Sequence, residues 1–226
     1  EGDADQWAAL VEMVRRIYQD RQHQGAILYA AHEYEVLGGF YRVPVDESQP
    51  ATFEQLFKPL DADFWQPFDY AGTTVYYDIY SPDLIDDPQP GVDILVKGWY
   101  SNDNVADRHE NQVYLVRALN RWAETHRKPV IFAEVGYRNI DYAAYHPYQA
   151  APASPNRPDL SANPNNAAQA EAYEALFRVW SNQDWLDGTF IWQFIPLSAD
   201  SRECGQDVDS DAEVSYTLCG RPAADV

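Results

Sequence analysis

Four short runs of apolar, aromatic and β-branched residues punctuate the chain, at 26–31, 68–77, 130–133 and 189–194. Runs of this length and composition, without strict polar alternation, predict strands buried on both faces. Between them the apolar period lengthens. Trp7, Leu10, Val11, Val14 and Ile17 predict an amphipathic helix over 7–18. Val113, Val116, Leu119, Trp122 and Ala123 predict one over roughly 104–126. Ala170, Tyr173, Leu176, Phe177 and Trp180 predict one over 166–180.

The connections are long. Residues 36–63 carry Gly38, Gly39, Pro44, Pro50 and Pro59, and predict a loop with one short helix near 53–57. Residues 81–104 and 138–165 are proline-rich and read as loops, and loops of such length are usually functional or disordered. Buried strands alternating with amphipathic helices predict an α/β fold with a parallel sheet. Each strand ends in polar or aromatic residues, as at the active-site end of a (β/α)8 TIM-type barrel. Four strands are half of such a barrel, and the open edges would expose unpaired backbone groups. The expectation is therefore that residues 1–226 form the C-terminal part of a single barrel domain, roughly strands five to eight, with the N-terminal strands missing.

Charge narrows the partners. The chain has 36 Asp and Glu against 16 Lys and Arg, a formal net charge of −20. Such a surface repels phosphate backbones and anionic lipid, so no nucleic-acid partner is expected. No apolar run reaches the length of a membrane span. Aromatics make up 14% of the chain, which suits either an ordinary core or a cleft that stacks on sugar rings. Cys204 and Cys219 lie close together in a polar segment. A disulfide between them would close a loop of about 15 residues and contribute roughly 3 kcal/mol in the chain-entropy account. That pairing fits an oxidising compartment, so a secreted or periplasmic protein is expected.

Few residues offer chemistry. Glu134 directly follows Val-Ile-Phe-Ala, at the tip of a buried strand. A carboxylate there is costly unless it is paired or faces a polar cleft. Trp192 sits within the last predicted strand, as core or as a sugar-stacking platform. Tyr76 and Tyr77 end the second strand, and alternation lets only one of them face the barrel interior. His32 and Glu33 end the first strand, within reach of a sugar hydroxyl or as plain rim residues. His109, His126 and His146 form no HExxH spacing, and no GxGxxG, P-loop or GxSxG motif is present. Neither a metal nor a cofactor is expected.

Several stretches resemble glycoside hydrolase family 113. KPVIFAEVGYRNIDYAAYHPY at 128–148 is similar to its seventh strand and following loop, and AQAEAYEALFRVWSNQDWLDGTFIWQF at 168–194 to its next helix and eighth strand. FWQPFDYAGTTVYYDIY at 64–80 resembles its sixth strand. WAALVEMVRRIY and GAILYAAHEYE resemble the preceding helix and strand, and GRPAADV at 220–226 its final segment. The resemblance implies a retaining (β/α)8 hydrolase that cleaves a β-linked polysaccharide such as mannan. It implies Glu134 as nucleophile, Trp192 as the aromatic residue at the −1 sugar, and Tyr77 or Tyr76 as the tyrosine near the nucleophile. His32 falls where relatives carry Asn. The acid/base Glu of the family ends strand four, a place that Glu1 would fill only with a shortened loop. Thr74 stands where relatives tend to have Asp, which leaves mannan specificity open. Alternatives are a non-catalytic carbohydrate-binding barrel or an incomplete, inactive fragment.

Overall fold

The computed structural model of the chain describes residues 4–32, 36, 62–100, 115–148 and 163–192. Four strands form one parallel sheet in the order β1-β2-β3-β4: β1 Leu28–His32, β2 Tyr70–Val75, β3 Val130–Val135 and β4 Leu186–Ile191. The helices are α1 Ala4–Asp20, α2 Ala62–Trp65, α3 Val92–Tyr100, α4 Leu115–His126 and α5 Asn166–Trp180. Sequential parallel neighbours joined by helical crossovers are the repeating unit of a (β/α) barrel. None of the described helices is long and apolar enough to cross a membrane.

The apolar runs form strands, with shifted ends. The last strand begins at Leu186 and stops at Ile191, so Trp192 lies just past its tip rather than inside it. The third extends to Val135 and takes Glu134 into the ladder. The largest departure is α3, in a segment whose prolines and acids predict a loop. Its Leu95, Gly98 and Trp99 share one buried face. Gly98 permits this, because a Cβ there would stand 1.7 Å from the carbonyl oxygen of Ile79. The predicted helix over 104–126 is described from Leu115, and the short helix near 53–57 lies outside the described residues.

Alternation divides the sheet into two faces. Outward, toward the helices, point Tyr29 and Ala31 of β1, Ala71, Thr73 and Val75 of β2, and Val130, Phe132 and Val135 of β3. Aromatic rings fill this layer. Tyr29 meets Trp7 of α1 and Phe64 of α2 edge-on, each at 5.1 Å. Trp65 meets Trp122 of α4 at 5.2 Å, and Phe132 meets Trp180 of α5 at 4.7 Å. Trp180 also meets Trp99 of α3 at 5.2 Å. Edge-to-face pairs of this kind add about 0.5–1.5 kcal/mol each beyond area burial. Much of the aromatic content is thus core.

The strand starts are pinned at the opposite end from the site. Asp69, just before β2, accepts the amide of Ile27, just before β1, at 2.7 Å, and Arg15 of α1 at 2.9 Å. α5 opens with Asn165, whose side chain accepts the Ala168 amide at 2.9 Å. Such a cap contributes about 1 kcal/mol.

Candidate active site

The inner face carries the polar residues. A bulge decides which. Thr73 pairs with Phe132, but Thr74 pairs with Glu134, so Ala133 has no partner across β2. In an unbroken strand Glu134 would share the outward side with Val130 and Phe132. The extra residue turns it inward, level with Thr74 and, through the β1 register, with His32. His32, Thr74 and Glu134 are each partly buried. The β4 register places Phe190 opposite the bulge, and alternation with the core-packed Ile191 sends its ring inward, where it is 61% exposed.

The tyrosine pair separates. The hydroxyl of Tyr76 donates to Oε1 of Glu134. Tyr77 points the other way and stacks on Trp99 of α3, centroids 5.8 Å apart and planes 14° from parallel. Tyr76 therefore reaches the carboxylate, and Tyr77 belongs to the packing between β2 and α3. Oε2 of Glu134 has no hydrogen-bond partner among the described residues. Trp192 follows β4, and its amide donates to the carbonyl of Val135, the residue after Glu134, at 2.8 Å. Glu1, Glu33, Cys204 and Cys219 lie outside the described residues.

The loop after β3 lies against the segment after β2. Ile79 donates its amide to Ala144, and His146 donates its amide to Asp78 Oδ1 at 2.7 Å. The His146 ring also meets Asp78 Oδ2 at 3.0 Å. Tyr80 and Tyr142 stack at 6.3 Å. Tyr142 and His146 adopt positive φ, 61° and 46°, which non-glycine residues hold only where surrounding contacts fix them. Buried Tyr142, Ala143, Ala144 and Tyr145 make this part of the proline-rich loop a structured wall beside the site. Tyr137, two residues past the strand, is fully enclosed, and burial pushes its phenol well above the ordinary tyrosine range, so it stays neutral.

Phe190, Asp78 and the His146 clamp were not evident in the sequence. Phe190 is hidden in a run where either parity reads as core. The clamp joins residues separated by 68 positions.

The arrangement presents a carboxylate, fixed on one oxygen by a phenol, on the inner face at the C-terminal ends of parallel strands. The family model for Glycoside Hydrolase Family 113 matches residues 1–214. The chain belongs to that family. Among solved structures it is similar to the family 113 beta-mannanase AaManA from Alicyclobacillus acidocaldarius in complex with ManMIm, with TM-score 0.53 and 20% identity over 97% of this chain and 47% of that one. It is also similar to a complex structure of a family 113 beta-1,4-mannanase, with TM-score 0.46 and 17% identity over 97% of this chain and 48% of the other. Curated proteins give no match. The chain spans about half the length of the solved structures it matches. The likeness to AaManA carries the fold: the sheet of this family 113 chain is of the (β/α)8 TIM-barrel type.

Proposed function

We propose that this family 113 chain is the C-terminal, nucleophile-bearing part of a single glycoside hydrolase barrel domain. The reaction is retaining hydrolysis of a β-linked polysaccharide such as mannan. The observation that carries this reading is the Tyr76 hydroxyl on Glu134 at the inner face of the strand tips. Family membership and the mannanase activity named for AaManA support the substrate class.

In this mechanism an oxygen of Glu134 attacks the anomeric carbon of the −1 sugar. The C–O bond to Glu134 forms as the glycosidic C–O bond breaks, and the departing oxygen takes a proton from a second carboxylic acid. Water, deprotonated by that second group, then releases the sugar from Glu134 with net retention. Tyr76 holds Oε1 and leaves Oε2 as the attacking atom. Trp192 and Phe190 offer ring faces to the sugar, and His32 a hydrogen-bonding group. A secreted or periplasmic location and a Cys204–Cys219 disulfide belong to the same proposal, on the spacing of the cysteines.

The test avoids the need for the acid. A 2-deoxy-2-fluoro-β-mannobiosyl fluoride expels fluoride unaided, so the attacking carboxylate alone forms the covalent ester. Residues 1–226 should gain one glycosyl unit in intact mass, on the peptide containing Glu134, and Glu134→Gln should gain none. A label on another residue overturns the assignment. A chain that binds manno-oligosaccharide but takes no label is a binding barrel instead.

A further inference from the structure

Helix α5 lies outside the barrel, yet its inner side reaches the tips of both strands that carry the site. Gln169 and Tyr173, one helical turn apart, are fully buried. Gln169 Nε2 donates to the carbonyl of Tyr137 at 2.9 Å. The amide of the same residue, Tyr137, donates to the Tyr173 hydroxyl at 3.2 Å. That hydroxyl in turn donates to the carbonyl of Trp192 at 3.4 Å. A hydroxyl has one proton to give and lone pairs to accept, so both contacts can stand together. Trp192 closes the circuit through its amide to Val135 at 2.8 Å.

We infer that Tyr173 is a positioning residue that sets Trp192 in height relative to Glu134, with Gln169 fixing the peptide through which it acts. Glu134 is three residues ahead of Tyr137, on a strand tip that already contains a bulge. Trp192 is the first residue past β4 and keeps one bond to β3, its amide on the Val135 carbonyl. Tyr137 and the carbonyl of Trp192 lie past the last paired residues, Val135 and Ile191. One phenol spanning the two turns separate loops into a unit of fixed spacing. A phenylalanine of the same shape would fill the same space but remove the hydroxyl that the buried Tyr137 amide and the part-buried Trp192 carbonyl share.

The ligand readout rests on the glycosidase reading above; a second readout does not. The variant is Tyr173→Phe in the whole chain, tested with β-1,4-mannopentaose by calorimetry and, without ligand, by amide hydrogen exchange. Expected is a rise in Kd of about tenfold, the scale of one lost hydrogen bond. In the free protein, exchange at the Tyr137 and Trp192 amides should quicken by at least about tenfold, while Val130 at the far end of β3 keeps its wild-type rate. A role in global stability alone would quicken all three amides together, and that result, or an unchanged Trp192 amide, overturns the inference. If the wild-type chain binds no mannopentaose, the mannan reading fails, and the exchange pattern still decides the role of Tyr173. If Tyr173→Phe does not fold, Gln169→Met gives the same comparison at Tyr137 against Val130.

Discussion

Tyr76 and Glu134, 58 residues apart in sequence, meet through a phenol-to-carboxylate hydrogen bond across the C-terminal ends of β2 and β3. The bond exists because β2 keeps its alternation past Val75 while β3 gains a residue at Ala133. Without that bulge the two side chains would lie on opposite faces of the sheet.

A hydrogen bond to a charged group contributes about 1.5–3 kcal/mol. Tyr76→Phe should therefore slow formation of the fluorosugar ester by about 10- to 100-fold. Tyr77→Phe, which keeps the stacked ring on Trp99, should leave the rate at the wild-type value. The time course of the intact-mass shift measures both. Equal slowing in the two variants would remove Tyr76 from its role.

The four strands were legible because buried parallel strands need apolar residues on both faces, which leaves a compositional trace. Glu134 was legible for the related reason that a carboxylate rarely follows such a run. The choice between Tyr76 and Tyr77 was not, since alternation needs a register and the register changes at Ala133. Trp192 was legible as a candidate but placed within a strand, whereas it lies one residue past Ile191, the end of β4, because the apolar run gives no mark of that end. Helix α3 was hidden because the prolines before it signal a loop, while its nine residues are too few for a strong period. Tyr173 read as one more core aromatic, and only the fold reveals what its hydroxyl joins.

Phe190 offers a test of the inner face. Its ring is 61% exposed, so truncation sacrifices little packing. If a sugar covers that ring, Phe190→Ala loses contact area worth about 1.5–3 kcal/mol, or about 10- to 100-fold in mannopentaose affinity. The melting temperature should stay at the wild-type value. A variant that melts lower but binds as wild type would place the ring outside the ligand path.

Gly98→Ala tests the packing of α3. Alanine favours a helix interior over glycine by about 1 kcal/mol. Here the added methyl carbon would stand 1.7 Å from the Ile79 oxygen and 2.7 Å from its carbonyl carbon, which are backbone atoms with no rotamer to turn. The clash should override the propensity and destabilise the fold by about 3 kcal/mol or more, read as a large drop in denaturation midpoint. Gly188→Ala, with nothing within 4 Å of the added atom, is the control and should fold as wild type.

Asp69 predicts how stability depends on acid. Its burial opposes the charged form, but the Arg15 and Ile27 hydrogen bonds and the charges of Arg15 and Lys128 prevail and hold its carboxyl below the ordinary aspartate range. A group depressed on folding adds stability that is complete above its unfolded pKa, near 3.9 for aspartate. That stability is lost as pH falls through the lower folded value. Asp69→Asn keeps an acceptor for the Ile27 amide and loses the charge. The Arg15–Asp69 pair is more than a third exposed, so solvent screening keeps the cost at about 1 kcal/mol at pH 7. Denaturant titrations of wild type and variant should therefore separate at neutral pH and converge as pH falls below the lowered folded value, where both carry an uncharged group at this position. A gap that stays constant across the titration would mean that Asp69 acts through shape and hydrogen bonding alone, and the charge argument at the strand starts would fall.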